Sequence, residues 1–159
     1  MAVNSAGLTG KYLTFVLAEE EYAFPVGHVR EITRITDITV VPRMPAHVSG
    51  VINLRGKVVP VMDLRVRFNL TAAPPTDETC IIVTETSVGD MRVVFGAIVD
   101  RVSEVLTIGT DEIEERPDFG ERLDTKYMLG IAKVKGKIKI LLNLDEMLAD
   151  DARMTGRAA

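Results

Sequence analysis

The sequence predicts a mainly β protein made of two similar halves, and three observations carry that expectation. Short runs rich in β-branched and aromatic residues recur along the chain. Polar or glycine-bearing turns separate them at short intervals, a pattern of barrels or a sandwich. The chain also repeats itself, because two blocks in its first half return in the same order in its second.

Taken in order, Tyr12-Leu-Thr-Phe-Val-Leu17 reads as a strand, Glu19-Glu-Glu21 as a polar turn and Tyr22-Ala-Phe-Pro-Val26 as a second strand, so the chain opens on a hairpin. Pro25 removes a ladder donor and predicts an edge or a bulge there. Val29-Arg-Glu-Ile32 places Val29 and Ile32 three residues apart, the spacing of a short helical turn. Further strands are expected at Ile38–Val41, Lys57–Met62, Thr79–Glu85, Arg92–Val99, Ile131–Val134 and Lys137–Leu142. Asp63 and Asn143 are good N-caps for short helices over Leu64–Phe68 and Leu144–Asp151.

The repeat has two blocks. Pro25–Ile32 lies over Ile98–Val105 at an offset of 73, matching Val29 with Val102 and Glu31 with Glu104. Gly50–Leu64, GVINLRGKVVPVMDL, lies over Gly130–Leu144, GIAKVKGKIKILLNL, at an offset of 80. Each hairpin turns at a basic-Gly-Lys step, Arg55-Gly-Lys57 in the first copy and Lys135-Gly-Lys137 in the second. The expected organisation is a single domain over 8–151 with lobes near 8–75 and 76–151, able to exchange strands, between tails at 1–7 and 152–159. Thr71–Asp77, with two prolines, marks the boundary.

Composition excludes several functions. Of 159 residues, 47% are apolar and 26% charged, which is globular rather than disordered. A net charge of −4 argues against a nucleic-acid backbone binder, and three tyrosines and five phenylalanines, mostly in apolar strands, make no basic stacking platform. No apolar run is long enough to span a bilayer and no signal peptide is visible, so a soluble cytoplasmic protein without direct membrane insertion is expected. The single cysteine, Cys80, reads as a buried small hydrophobe.

Catalytic and metal signatures are missing from the sequence. It contains no phosphate-binding glycine loop, zinc-ligand pattern or nucleophile elbow. His28 and His47 stand away from any metal-ligand spacing and read as surface or half-buried residues. The acidic run Asp111–Glu115 lacks the spacing of a calcium loop. The expectation is a non-enzyme with no cofactor and no metal. Phe119, alone in a charged, proline-bearing connector, either pins a loop to the core or anchors an interface. Val29 could line a groove instead of packing in the core.

The stretch Val48-Ser-Gly-Val-Ile-Asn-Leu-Arg-Gly-Lys-Val-Val-Pro-Val-Met-Asp-Leu-Arg65 resembles the CheW family of bacterial chemotaxis coupling (adaptor) proteins. So do Val29–Ile32, Val41-Pro-Arg-Met-Pro45, Tyr127-Met-Leu-Gly-Ile131 and Ile140-Leu-Leu-Asn-Leu144. The likeness runs from about Lys11 to Leu148. It implies two intertwined five-stranded SH3-like β-barrels with a few short helices, and no catalytic activity. It further implies two partners, the cytoplasmic tip of methyl-accepting chemoreceptors and the regulatory domain of the histidine kinase CheA, with recruitment to membrane receptor arrays. Carried over by position, the receptor-binding candidates are Val29, Glu31, Gly50 and Arg55, and the kinase-binding candidates are Phe119, Glu114 and Asp118. Arg55 has two possible roles, a tie from its hairpin to the neighbouring lobe or a contact to a receptor carboxylate. Alternative readings are a coupling protein of a non-chemotactic receptor–kinase array, or a small-ligand-binding β-barrel with its site between the lobes.

Overall fold

A computed structural model describes residues 9–71, 74–114 and 127–148. The opening hairpin forms as β1 (Gly10–Leu17) and β2 (Glu20–Pro25), and a single 3-10 turn, Val26–His28, leads into β3 (Val29–Arg34). The repeated hairpin is β4 (Val48–Leu54) and β5 (Lys57–Asp63), closed by α1 (Leu64–Arg67). The second half follows with β6 (Cys80–Val88), β7 (Met91–Val99), β8 (Arg101–Ile108), β9 (Ile113–Glu114), β10 (Met128–Val134) and β11 (Lys137–Leu142). A helix at 144–148, α2, closes it.

Both repeated hairpins turn through left-handed residues, Arg55-Gly56 at φ 52° and 87° and Lys135-Gly136 at 53° and 79°. Two consecutive positive φ values match the right-handed twist of the flanking strands, and glycine at the second position carries the conformation without a Cβ penalty. Asn53 supports the first turn by accepting from the Gly56 N–H at 2.8 Å. Asp63 caps α1 by accepting from Arg65 N at 3.0 Å, and Asn143 caps α2 by accepting from Glu146 N at 3.1 Å.

The strands form a six-stranded sheet, β8-β1-β2-β11-β10-β9, and a five-stranded sheet, β3-β6-β7-β5-β4. Each sheet takes the opening hairpin of one half and the remaining strands of the other, so each draws on both halves of the chain. Two parallel contacts join the halves, β11 with β2 and β5 with β7. The sixth strand, β9, has a counterpart in the other sheet, the isolated bridge between Thr39 and Val51. The register shifts also recur, at Arg30 and Ser103 and again at Ser49 and Leu129, positions related by the offsets of 73 and 80.

Each sheet wraps its own apolar core. Tyr12, Ala23, Ile108, Ile113, Ala132, Val134 and Leu141 fill the six-stranded barrel. Ile52, Val59, Val61, Ile81, Val83 and Ile98 fill the five-stranded one. A third, larger core lies between them, with Leu13, Phe15, Leu17, Phe24, Met62, Leu64, Ile82, Phe95, Leu142 and Met147 among its residues. Central strands therefore bury both faces. On β1, Tyr12 enters the barrel while Leu13, Phe15 and Leu17 enter the shared core, which is why this strand reads as continuously apolar.

Four expectations are corrected. Val29–Ile32 and its repeat Val102–Val105 are strand residues, and only Val26–His28 forms a helical turn. The register shift beside Arg30 inserts one residue into the ladder, so apolar positions fall three apart instead of two and imitate a helix. Ile38–Val41 contributes one bridge residue rather than a strand. Pro25 does not mark an edge: β2 lies between β1 and β11, and Pro25 sits past the Glu21–Ala23 segment that pairs with β11, where no donor is required. His47 is buried, with its carbonyl accepting from Asp63 N at 2.7 Å.

Candidate functional site

The four receptor-binding candidates all lie on the five-stranded sheet, drawn from two stretches of chain. Val29 and Glu31 flank the bulge of β3, the edge strand; Gly50 lies on β4, the opposite edge; Arg55 stands at the β4–β5 turn. The structure joins Glu31 and Arg55. Nη1 of Arg55 donates to Glu31 Oε2 at 3.0 Å, and Nη2 pairs with Oε1, a fork-on-carboxylate contact between the hairpin tip and β3. Sheet order puts β3 and β4 at opposite ends, so this pair spans from one end of the sheet to the other. The tie runs within one sheet and not to the neighbouring lobe, which corrects the structural role expected for Arg55.

The pair stays open to solvent. The Arg55 side chain is 72% exposed and that of Glu31 29%. The hydrogen bond from Arg55 holds the Glu31 carboxyl below its usual range, and the same bond raises the guanidinium. Exposed pairs add little to stability because water screens them.

Gly50 has a different explanation. Its φ is +146°, and a Cβ there would lie 2.1 Å from the carbonyl oxygen of Thr39. Thr39 and Val51 exchange backbone hydrogen bonds at 2.8 and 2.9 Å across this contact. Gly50 lets the 38–41 segment lie against β4, so it shapes the surface without itself offering a side chain. Val29 is half-buried and packs on the shared core.

A second charged cluster lies beside β3. Glu85 on β6 pairs with Arg30 at 3.2 Å and with Arg92. His28 Nδ1 donates to the Glu85 carbonyl oxygen at 3.0 Å. A carbonyl can only accept, so the proton of the neutral ring sits on Nδ1. Of the kinase-binding candidates, Glu114 is exposed on β9, at the edge of the six-stranded sheet. Asp118 and Phe119 lie outside the described residues. Among the described residues, no group of three or more His, Cys, Asp or Glu is arranged to hold a metal ion, and no helix is long and apolar enough to cross a membrane.

Two buried cations, Arg65 and Lys139, and the half-buried Arg67 are not singled out by the sequence. Arg65 is held by Asp63 and Asp100. Lys139, on β11, pairs with Glu21 at 2.5 Å. Arg67 donates to the Tyr127 hydroxyl at 2.6 Å, with its guanidinium 4.5 Å from the Tyr127 ring centroid. The available signal was a charged residue inside an otherwise apolar stretch, at Lys139 and at the Asp-Leu-Arg end of β5. Cys80 is buried as expected, and desolvation pushes its thiol pKa up.

Comparison with known proteins covers both sheets. Residues 11–152 match the family model described as a CheW-like domain. The chain is similar to the chemotaxis protein CheW of Rhizobium meliloti (strain 1021), 35% identical over 141 residues that cover 89% of this chain and 88% of that one. It is similar to the chemotaxis protein CheW of Bacillus subtilis (strain 168), 39% identical over 139 residues, 87% of this chain and 86% of that one. In structure it is similar to the scaffolding protein TtCheW from Thermoanaerobacter tengcongensis, with a TM-score of 0.74 and 36% identity over 85% of this chain and 89% of that chain. The chain belongs to the CheW-like family.

Proposed function

We propose that this chain is a non-catalytic scaffold that couples chemoreceptors to the histidine kinase CheA in bacterial chemotaxis signalling. The observation that carries the reading is the extent of the family match, which runs from β1 to α2 and so includes both barrels. A coupling protein needs two surfaces on one rigid body, and a pair of barrels sharing a large apolar core supplies that frame.

The receptor tip is assigned to the five-stranded sheet around Val29, Glu31 and Arg55, where an exposed ion pair offers hydrogen-bonding groups beside a half-buried valine. Gly50 supports this surface by admitting the Thr39 carbonyl. The kinase regulatory domain is assigned to Glu114, exposed on β9, and to Asp118 and Phe119 of the sequence that follows it. The protein would work in the cytoplasm and be recruited to membrane receptor arrays through the receptor tip.

Isothermal titration of the chain against a receptor cytoplasmic tip and against a CheA regulatory domain, separately and together, tests the reading. Binding of both, and of both at once, is the expected result; binding of neither overturns it. Phe119→Ser is expected to weaken the kinase domain and leave the receptor tip unchanged.

A further inference from the structure

The buried guanidinium of Arg65 lies where the chain passes from one sheet to the other. Arg65 is 5% exposed and sits in α1, at the end of β5 of the five-stranded sheet. Its Nε donates to Asp63 Oδ1 at 3.0 Å, Nη2 to Asp63 Oδ2 at 2.9 Å and Nη1 to Asp100 Oδ1 at 2.9 Å. Asp100 is the single residue between β7, in the five-stranded sheet, and β8, in the six-stranded sheet. Its other carboxylate oxygen accepts from Ala18 N at 2.7 Å in the β1–β2 turn, and its own N–H donates to Val16 O at 3.0 Å. One cation therefore links the end of β5, the sheet-to-sheet crossing and the opening hairpin.

The duplication supplies an internal control. At the matching corner, Asp145 stands where Arg65 does and Gly27 where Asp100 does, at the offsets of 80 and 73. The buried cation and the crossing carboxylate are both replaced there. That corner instead holds a cavity of about 210 Å³ lined by His28, Glu85, Thr86, Ser87, Arg92 and Asp145. Thr86 Oγ1 donates to Asp145 across it. The sheets are thus tied at one corner by a buried cation between two carboxylates, and at the other by a single hydroxyl-to-carboxylate bond beside a cavity. The apolar core holds the sheets together, but the hydrophobic effect that drives its burial is non-directional. Charge-assisted, bidentate hydrogen bonds are directional.

We propose that Arg65 and Asp100 are positioning residues that set the orientation of one sheet relative to the other, and with it the geometry in which the scaffold presents one partner to the second. The functional half of this statement rests on the adaptor reading; the orientational half does not. Asp100→Asn keeps the shape of the side chain and removes the charge, while Asp63 still pairs with Arg65.

Two measurements test the proposal. The first is the distance distribution between spin labels at Val58→Cys on the five-stranded sheet and Ile138→Cys on the six-stranded sheet, both exposed, in a Cys80→Ala background. Asp100→Asn is expected to broaden or shift it, whereas Ile52→Val, a core-cavity control, leaves it unchanged. The second is assembly with a receptor tip and a CheA regulatory domain. Each binary affinity is expected to hold while the ternary complex weakens about tenfold, the factor that about 1.4 kcal/mol of lost orientation corresponds to. An unchanged distance distribution overturns the proposal, and so does a parallel loss of binary and ternary binding. Should Asp100→Asn fail to fold, Asp100→Glu, which keeps the charge and lengthens the arm, carries the same two readouts. A parent chain that binds neither partner would count against the adaptor reading, and the spin-label distances would still decide the role of Asp100.

Discussion

The two barrels share a backbone plan but fill one interior position in opposite ways. In the five-stranded sheet, where β5 runs parallel to β7, Val59 and Val94 pack into an apolar interior with Ile81 and Ile98. At the matching positions of the six-stranded sheet, Lys139 on β11 lies directly opposite Glu21 on β2, with its side chain 4% exposed and its Nζ 2.5 Å from a Glu21 oxygen. The next position inward differs too. Gly96 faces Ile81 in one barrel, and Ala23 occupies the equivalent place beside Tyr12 in the other. The shared frame thus tolerates either an oily or an ionic plug near the barrel end, provided each is completed by its own partner. A lysine suits the site because its long apolar stem packs while its head reaches the half-buried carboxylate.

That contrast can be broken at several points, and the largest effect is expected at Gly50. Gly50→Ala must place a Cβ against the Thr39 carbonyl at a φ unsuited to alanine, and should cost about 3–5 kcal/mol in urea denaturation. The barrel plugs come next. Glu21→Gln leaves a buried ammonium without its counter-charge and should cost about 3 kcal/mol. The double change Glu21→Val with Lys139→Val imports the plug of the other barrel and should be neutral or stabilising by about 1 kcal/mol in the same assay.

A smaller effect is expected at Gly96→Ala, which copies the six-stranded barrel at this position. Its Cβ would lie 2.6 Å from an Ile81 methyl carbon, so a loss of about 1–2 kcal/mol is expected, relieved by adding Ile81→Val. Smallest of all, Arg55→Ala should leave the melting midpoint essentially unchanged, because the pair with Glu31 is exposed. Loss of receptor-tip binding in that variant would assign the pair to recognition, while a large fall in the midpoint would assign it to barrel closure.

The pH dependence of that pair has a definite sign. The folded-state pKa of Glu31 is lowered by the bond from Arg55, so the contribution of the pair is complete above the ordinary glutamate value of about 4.3 and lost as pH falls through the lower folded value. A carboxyl titration followed by NMR should place Glu31 below the usual range, and Arg55→Ala should return it upward.

Much of the candidate surface could be located from residues alone, and its geometry could not. Arg55 and Gly50 stand out because a basic-Gly-Lys turn and the first glycine of the hairpin recur eighty residues later. That Arg55 grips Glu31, twenty-four residues upstream, depends on the barrel bringing β3 round to the hairpin tip. Val29–Ile32 was misread because a bulge changes the spacing of apolar residues from two to three, and four residues cannot separate that pattern from a helical turn. Arg65 was overlooked because an arginine beside a helix cap normally faces water. Its burial is compensated by Asp63 two residues before it and by Asp100, thirty-five residues away on the crossing between sheets, which only the fold brings near.

By itself the sequence determined most of the local and repeated features: the hairpin strands away from the bulges, the two basic-Gly-Lys turns, the capped short helices and the duplication. These follow from side-chain alternation, φ preference and capping, which act over a few residues. Tertiary structure alone decided which strands share a sheet, which carboxylate each cation meets and which glycine gives way to a carbonyl. Those outcomes depend on how distant segments pack. The strand exchange between halves sets that packing, because it puts the opening hairpin of each half against the closing hairpin of the other.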